Sequence, residues 1–354
     1  MSRAGVAGRY DWAAGQAKAA VGYYGIYEKF DSRSNLFNAL DASASVSSKD
    51  YGQMFKYAVD MSYRFSGDDL DVSDENNKLK GHEVSFNGRL LGDVMDGHAI
   101  VFDMGMDLVS YSGLINDGVT RLSFAPKYLL ELDRLRLAAG FKMEFLVPSG
   151  SDSLCFRSET GLKNNFPIYP DIRADFQLVP DYMNAYAVIT GGTRVNTYCT
   201  LIDSNHHINL FSAFGGPLMD NTIERLATYA GLQGRAGTGF TYDVRAGYSG
   251  YRNALVDKVM ILDNKFIPGI AYADYRKFFA AAEWRLKKDR FTFDGSVSYS
   301  HMWFMDKNAA DGLFLPPGLE GTVSFDYNWK ERVYLGAHCD FAAIRKPGTV
   351  LRPD

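Results

Sequence analysis

Adjacent imidazoles at His206 and His207, with Asp203 and Asn205 close by, form a donor set suited to a divalent transition metal. Neighbouring histidines on an aperiodic segment do not converge without partners, so they read as a polar loop tip. Asn205, His206 and His207 are kept as candidates for binding at an outer loop. The run GDDLDVSDENNKLKG over 67–81 gathers Asp68, Asp69, Asp71, Asp74 and Glu75. It lacks the ligand spacing and central glycine of an EF-hand and reads as a solvated acidic loop. Ser, His and Asp are plentiful, yet no nucleophile elbow, paired catalytic motif or phosphate-cradling glycine loop organises them, so the chain is not read as an enzyme and no cofactor or metal is expected. Cys155, Cys199 and Cys339 are odd in number, lack zinc spacing and read as unpaired small apolar residues.

The remaining ionisable groups alternate with apolar ones. In FKYAVDMSYRF, Phe55, Tyr57, Val59, Met61, Tyr63 and Phe65 share one face, and Lys56, Asp60 and Arg64 share the other. The same pattern places Arg89, Asp103, Lys142, Glu144, Arg173, Asp175, Asp243, Arg245, Glu283, Arg285, Arg290 and Asp294 opposite apolar residues. These groups are of mixed sign. They suit cross-strand charge pairing and a polar pathway for solute, and they argue against a simple anion or cation filter.

The elements that must position them are strands. Period-2 alternation runs along nearly the whole chain of 354 residues, helical periodicity is scarce, and no window of about 18 apolar residues offers a transmembrane helix. Aromatics make 14% of the chain, including 22 Tyr and 24 Phe, a composition that suits antiparallel sheets and the interfacial girdles of membrane barrels. The net charge of -4 supplies no basic field for nucleic acid.

Short polar turns are expected near Ala14-Gly15, Lys49-Asp50, Asp96-Gly97, Asp133-Arg134, Pro180-Asp181, Ala236-Gly237, Lys288-Asp289 and Glu331-Arg332. Longer connections are expected at about 29–35, 67–80, 112–118, 148–167, 193–224, 251–274 and 305–317. Short and long then alternate strictly, giving about 16 strands of roughly 10 to 15 residues, enough to cross a bilayer at a tilt. Segregating tight turns from long loops at opposite ends has a physical reason in an outer-membrane barrel and none in a soluble sandwich. The expected fold is all-β, an antiparallel up-and-down transmembrane β-barrel over 1–354, with the apolar face toward lipid and the charged face toward the lumen. With the tight turns periplasmic, both termini fall on the outer side. Without a signal peptide, plug or terminal aromatic strand in view, the expectation is an incomplete barrel segment of a longer product.

The stretch 164–211 resembles outer-membrane β-barrel proteins of Bacteroidetes that are described as TonB-dependent receptor-like. The resemblance rests on Tyr169-Pro170-Asp171-Ile172, Leu178-Val179-Pro180, Gly191-Gly192-Thr193, Asn196 and the Asn205 loop, where Asn205-His206-His207 replaces an expected Asn-Pro-His. It implies an address in the outer membrane of a Gram-negative bacterium, the lipid bilayer as partner, a role in solute binding or uptake, and contact with a TonB system through a further amino-terminal region. The alternatives are a non-transporting barrel that scaffolds a surface complex and a large soluble all-β binding protein.

Overall fold

A computed structural model of the chain describes residues 2–30, 33–49, 54–69, 78–152, 154–156, 166–204, 218–262, 265–306, 313–330 and 332–343. Among these residues the strands are β1 (Ser2–Trp12), β2 (Gly15–Phe30), β3 (Arg33–Ser48), β4 (Phe55–Asp69), β5 (Lys78–Met95), β6 (His98–Gly113), β7 (Asp117–Glu131), β8 (Leu135–Gly150), β9 (Ile168–Val179) and β10 (Met183–Val195). After a short helix, α1 (Tyr198–Ser204), come β11 (Asn221–Ala236), β12 (Phe240–Leu262), β13 (Lys265–Lys288), β14 (Phe291–Phe304), the two-residue β15 (Leu313–Phe314), β16 (Leu319–Trp329) and β17 (Val333–Ala343). Sixteen long strands therefore stand where about sixteen are expected.

The strands gather into two compact units. The first holds residues 1–128, 140–168 and 193–221. In it β1 through β6 pair successively and antiparallel, so that one transverse row reads Ala7, Ala20, Ser43, Ser62, Ser85 and Asp107. The second holds residues 129–139, 169–192 and 222–354. In it β9 pairs with β10, β11 through β14 pair in order, and β14 continues to β16 and β17.

The described tight turns fall where the polar dipeptides lie. Several need a left-handed residue to reverse the chain within two or three positions: Gly97, Asp181, Gly237, Asp289 and Lys330 have φ of 71°, 64°, 63°, 46° and 52°. Glycine at 97 takes this conformation without a side-chain clash.

The opposite ends correct the expected loops. The connection at 29–35 is not long, because β2 and β3 stay paired to Phe30 and Arg33. The one at 112–118 is reduced to the residues between Gly113 and Asp117. The connection at 251–274 is mostly ladder: β12 and β13 run 23 and 24 residues and pair out to Leu262 and Lys265. At about 3.3 Å per residue this hairpin is roughly 75 Å long, far beyond what a bilayer crossing requires. A register shift between Tyr251 and Ala254, with Asn253 at φ 51°, interrupts the period-2 pattern there and hides the ladder from a sequence reading. Strict alternation of short and long connections therefore does not hold. The connection at 193–224 also contains the helix α1, which was not expected.

Candidate functional site

In each unit most paired charges lie on one sheet face, and many large apolar side chains on the opposite face are exposed. Phe55 is 71% and Val244 50% exposed, whereas Glu144 is fully buried. Exposing the apolar face to water would be costly, so this arrangement fits a solvent that is itself apolar on that side.

On the polar face of the first unit, ion pairs cross from strand to strand. Arg64 of β4 bonds Asp41 of β3, and it reaches Asp203 of α1 at 2.9 Å. Arg89 grips Asp103 at 2.6 and 3.1 Å, and Lys127 approaches the same carboxylate at 3.1 Å. Arg121 pairs with Asp107 and lies 3.7 Å from Glu144, whose other oxygen accepts the Thr193 N–H at 2.9 Å. Lys142 is 3.8 Å from Glu144. Lys56 is half-buried in β4, and exposed Asp60 lines a cavity of about 540 Å³ with Arg9, Lys18 and Asn87. A second cavity of about 520 Å³ lies among Asp41, Arg64, Glu83, Asp107, Arg121 and Thr197.

The helix α1 packs against this polar face. Thr197 caps it, its hydroxyl accepting the Thr200 N–H at 3.2 Å while the Thr200 hydroxyl accepts the Thr197 N–H at 3.0 Å. Tyr198, Cys199, Leu201 and Ile202 are buried. The Tyr198 ring meets Phe37 edge-on, its hydroxyl donates to Asp68, and its N–H donates to the Tyr111 hydroxyl at 2.8 Å. Burial and then the Glu83 charge push the Cys199 thiol above its ordinary value, and burial pushes that of Cys155, in the connection after β8, up to about 12.

In the second unit, pairs two residues apart share a strand face: Arg173 with Asp175 at 2.8 Å, Arg245 with Asp243 at 3.3 Å. Arg245 continues to Glu283 at 2.5 Å, Tyr186 donates to Asp243 at 2.9 Å, and Ser324 donates to Asp294 at 2.5 Å. The Tyr186 ring reaches Asp243 because Gly231 lies beneath it: a Cβ at that glycine would sit 2.6 Å from the ring. Asp243, Glu283, Arg285 and Asp294 line a cavity of about 870 Å³ with Gln177, Gln233 and His338.

Three further placements complete the set. Arg290 lies in the turn after β13 and not on a strand; its carbonyl accepts the Asn328 N–H at 2.7 Å. Asn205, His206 and His207 lie outside the described residues, as do Asp71, Asp74 and Glu75; Asp68 and Asp69 close β4. Among the described residues no group of His, Cys, Asp or Glu is arranged to hold a metal. The sequence reading missed Asp41, Asp107, Arg121 and Tyr198, and it set Asp203 beside the histidines and not with Arg64. The alternation in LFNALDASASV marks Asp41, and Thr197 and Thr200 in NTYCTLIDS are a cap signal that marks α1.

No protein-family model and no curated protein matches the chain. Solved structures do. The FrpB iron transporter from Neisseria meningitidis covers 95% of this chain at TM-score 0.66 and 10% identity, the copper transporter OprC covers 98% at 0.60 and 11%, and the siderophore receptor PirA from Acinetobacter baumannii covers 94% at 0.61 and 10%. The chain spans 57%, 59% and 57% of their respective lengths. Likeness at this identity establishes the fold, an antiparallel up-and-down transmembrane β-barrel, and each of these neighbours is named as a transporter or receptor.

Proposed function

We propose that the chain is an outer-membrane β-barrel segment that binds or takes up a solute, as part of a TonB-dependent receptor-like transporter. The observation that carries this reading is the division of faces: exposed Phe55, Tyr57 and Met61 on one side of β4, and ion-paired Arg64 on the other. The fold shared with iron, copper and siderophore transporters and the resemblance over 164–211 support the transport role. The lining charges compensate one another, as in Arg64 with Asp41 and Arg245 with Glu283, so the polar face offers fixed donors and acceptors with no dominant field. A solute would then be recognised by hydrogen-bond geometry more than by net charge.

The reading is tested by single cysteines in membranes. Val59→Cys and Val297→Cys should react with a lipid-soluble label and resist a water-soluble one, with the reverse at Asp60→Cys and Asp294→Cys. Equal water-soluble labelling on both faces would remove the membrane assignment.

A further inference from the structure

The outward apolar face of the second unit is concave where its side chains are smallest. Registered rows read Ala230, Ala246, Ala280, Tyr299 and, next to it, Leu232, Val244, Ala282, Val297. Together with Ala174 and Phe176 they border a groove of about 820 Å³. Toward the loop end the next rows are Thr228, Tyr248, Phe278, His301 and then Leu226, Gly250, Arg276, Trp303. Arg276 is four residues from Ala280, about 13 Å along the strand. A side chain added at Gly250 would meet nothing within 4 Å, so space is open beside Arg276.

Arg276 and His301 are exposed, and half-buried Arg252 lies two residues beyond Gly250, opposite Ile223. Arg64, Arg89, Arg121, Arg173 and Arg245 all hold carboxylates, whereas no carboxylate pairs with Arg252 or Arg276 among the described residues. The nearby acid Asp274 accepts the Asn253 N–H at 2.7 Å.

The geometry points to a site for a membrane lipid with an anionic phosphate headgroup, its acyl chains in the alanine-floored groove and its phosphate on Arg276 and Arg252. The inference rests on the membrane reading of the apolar face. Acyl chains fit a groove almost without polar atoms, and guanidinium groups at its loop end supply the charge-assisted donors a phosphate needs. Trp303, directly across from Arg276, is placed to report the headgroup region.

The full chain is reconstituted in phosphatidylcholine bilayers with a small fraction of brominated phosphatidylglycerol, and quenching of the emission that Trp303→Phe removes is followed. Brominated phosphatidylglycerol should quench more strongly than brominated phosphatidylcholine at the same fraction. The double variant Arg252→Gln/Arg276→Gln should lower this preference roughly tenfold, and the groove-filling Ala246→Phe/Ala280→Phe should abolish it with the emission retained. Equal quenching by both lipids, or a preference indifferent to either variant, would overturn the site. So would full displacement by inorganic phosphate with no effect of groove filling, which indicates ion binding alone. No quenching by either lipid, with water-soluble labelling of Val297→Cys, would instead remove the membrane reading beneath it.

Discussion

At the scale of single residues, Tyr198 fastens α1 through its hydroxyl on Asp68, and Asp68 is 3% exposed. Tyr198→Phe removes a donor from a buried carboxylate and should cost about 1–3 kcal/mol, read as a lower urea midpoint of unfolding. The native cysteines provide a second readout. Cys155 and Cys199 are buried and Cys339 exposed, on the β17 face that carries Leu335 and Phe341. A water-soluble maleimide should leave Cys155 and Cys199 untouched in the folded chain while a lipid-soluble one modifies Cys339. With its value raised to about 12, Cys155 carries almost no thiolate between pH 7 and 9, so its labelling in the folded chain should stay negligible across that range and appear only on unfolding. Substantial labelling of Cys155 in the folded chain would refute the burial. The polar partners were only half legible in sequence. Alternation gives the face of Arg64, but that Asp41 and Asp203 are what it meets depends on register and on the path of α1, which local pattern does not encode.

At the scale of elements, the tight turns are the best-read part of the chain, because Asp96-Gly97 and Lys288-Asp289 announce a reversal by residue type. Lys330 is the exception in chemistry: a lysine at φ 52° holds a conformation that costs an L-residue roughly 1–2 kcal/mol. Lys330→Gly should therefore raise the unfolding midpoint, corresponding to about 0.5–1 kcal/mol after the added freedom of the unfolded chain is discounted. An unchanged or lower midpoint would mean that the turn is held by contacts of the lysine side chain. The far ends were misread for a related reason. Around Tyr251 and Asn253 a bulge shifts the face assignment by a residue, so a continuous ladder looks like an aperiodic loop.

At the scale of the molecule, the up-and-down order was legible because each strand announces itself by period 2 and each described partner is a chain neighbour, β15 apart. Strand order does not fix orientation, which the expectation of periplasmic tight turns supplies and experiment can test. An epitope inserted beside Glu75 should be reached by antibody on intact cells, and one between Lys288 and Asp289 only after permeabilisation; the opposite result would invert the assignment of ends. The β12–β13 hairpin carries a consequence for how the chain comes to be folded. Its register runs from Phe240 with Leu286 out to Leu262 with Lys265, so its outermost pairs close loops of only a few residues while its innermost pairs span nearly fifty. Loop closure is least unfavourable at the tip, and zipping from there adds each next pair to ends already held together. This hairpin should therefore be an early kinetic nucleus, with backbone amides of 255–273 gaining protection from hydrogen exchange before those of β1 and β2 in a pulse-labelled refolding reaction.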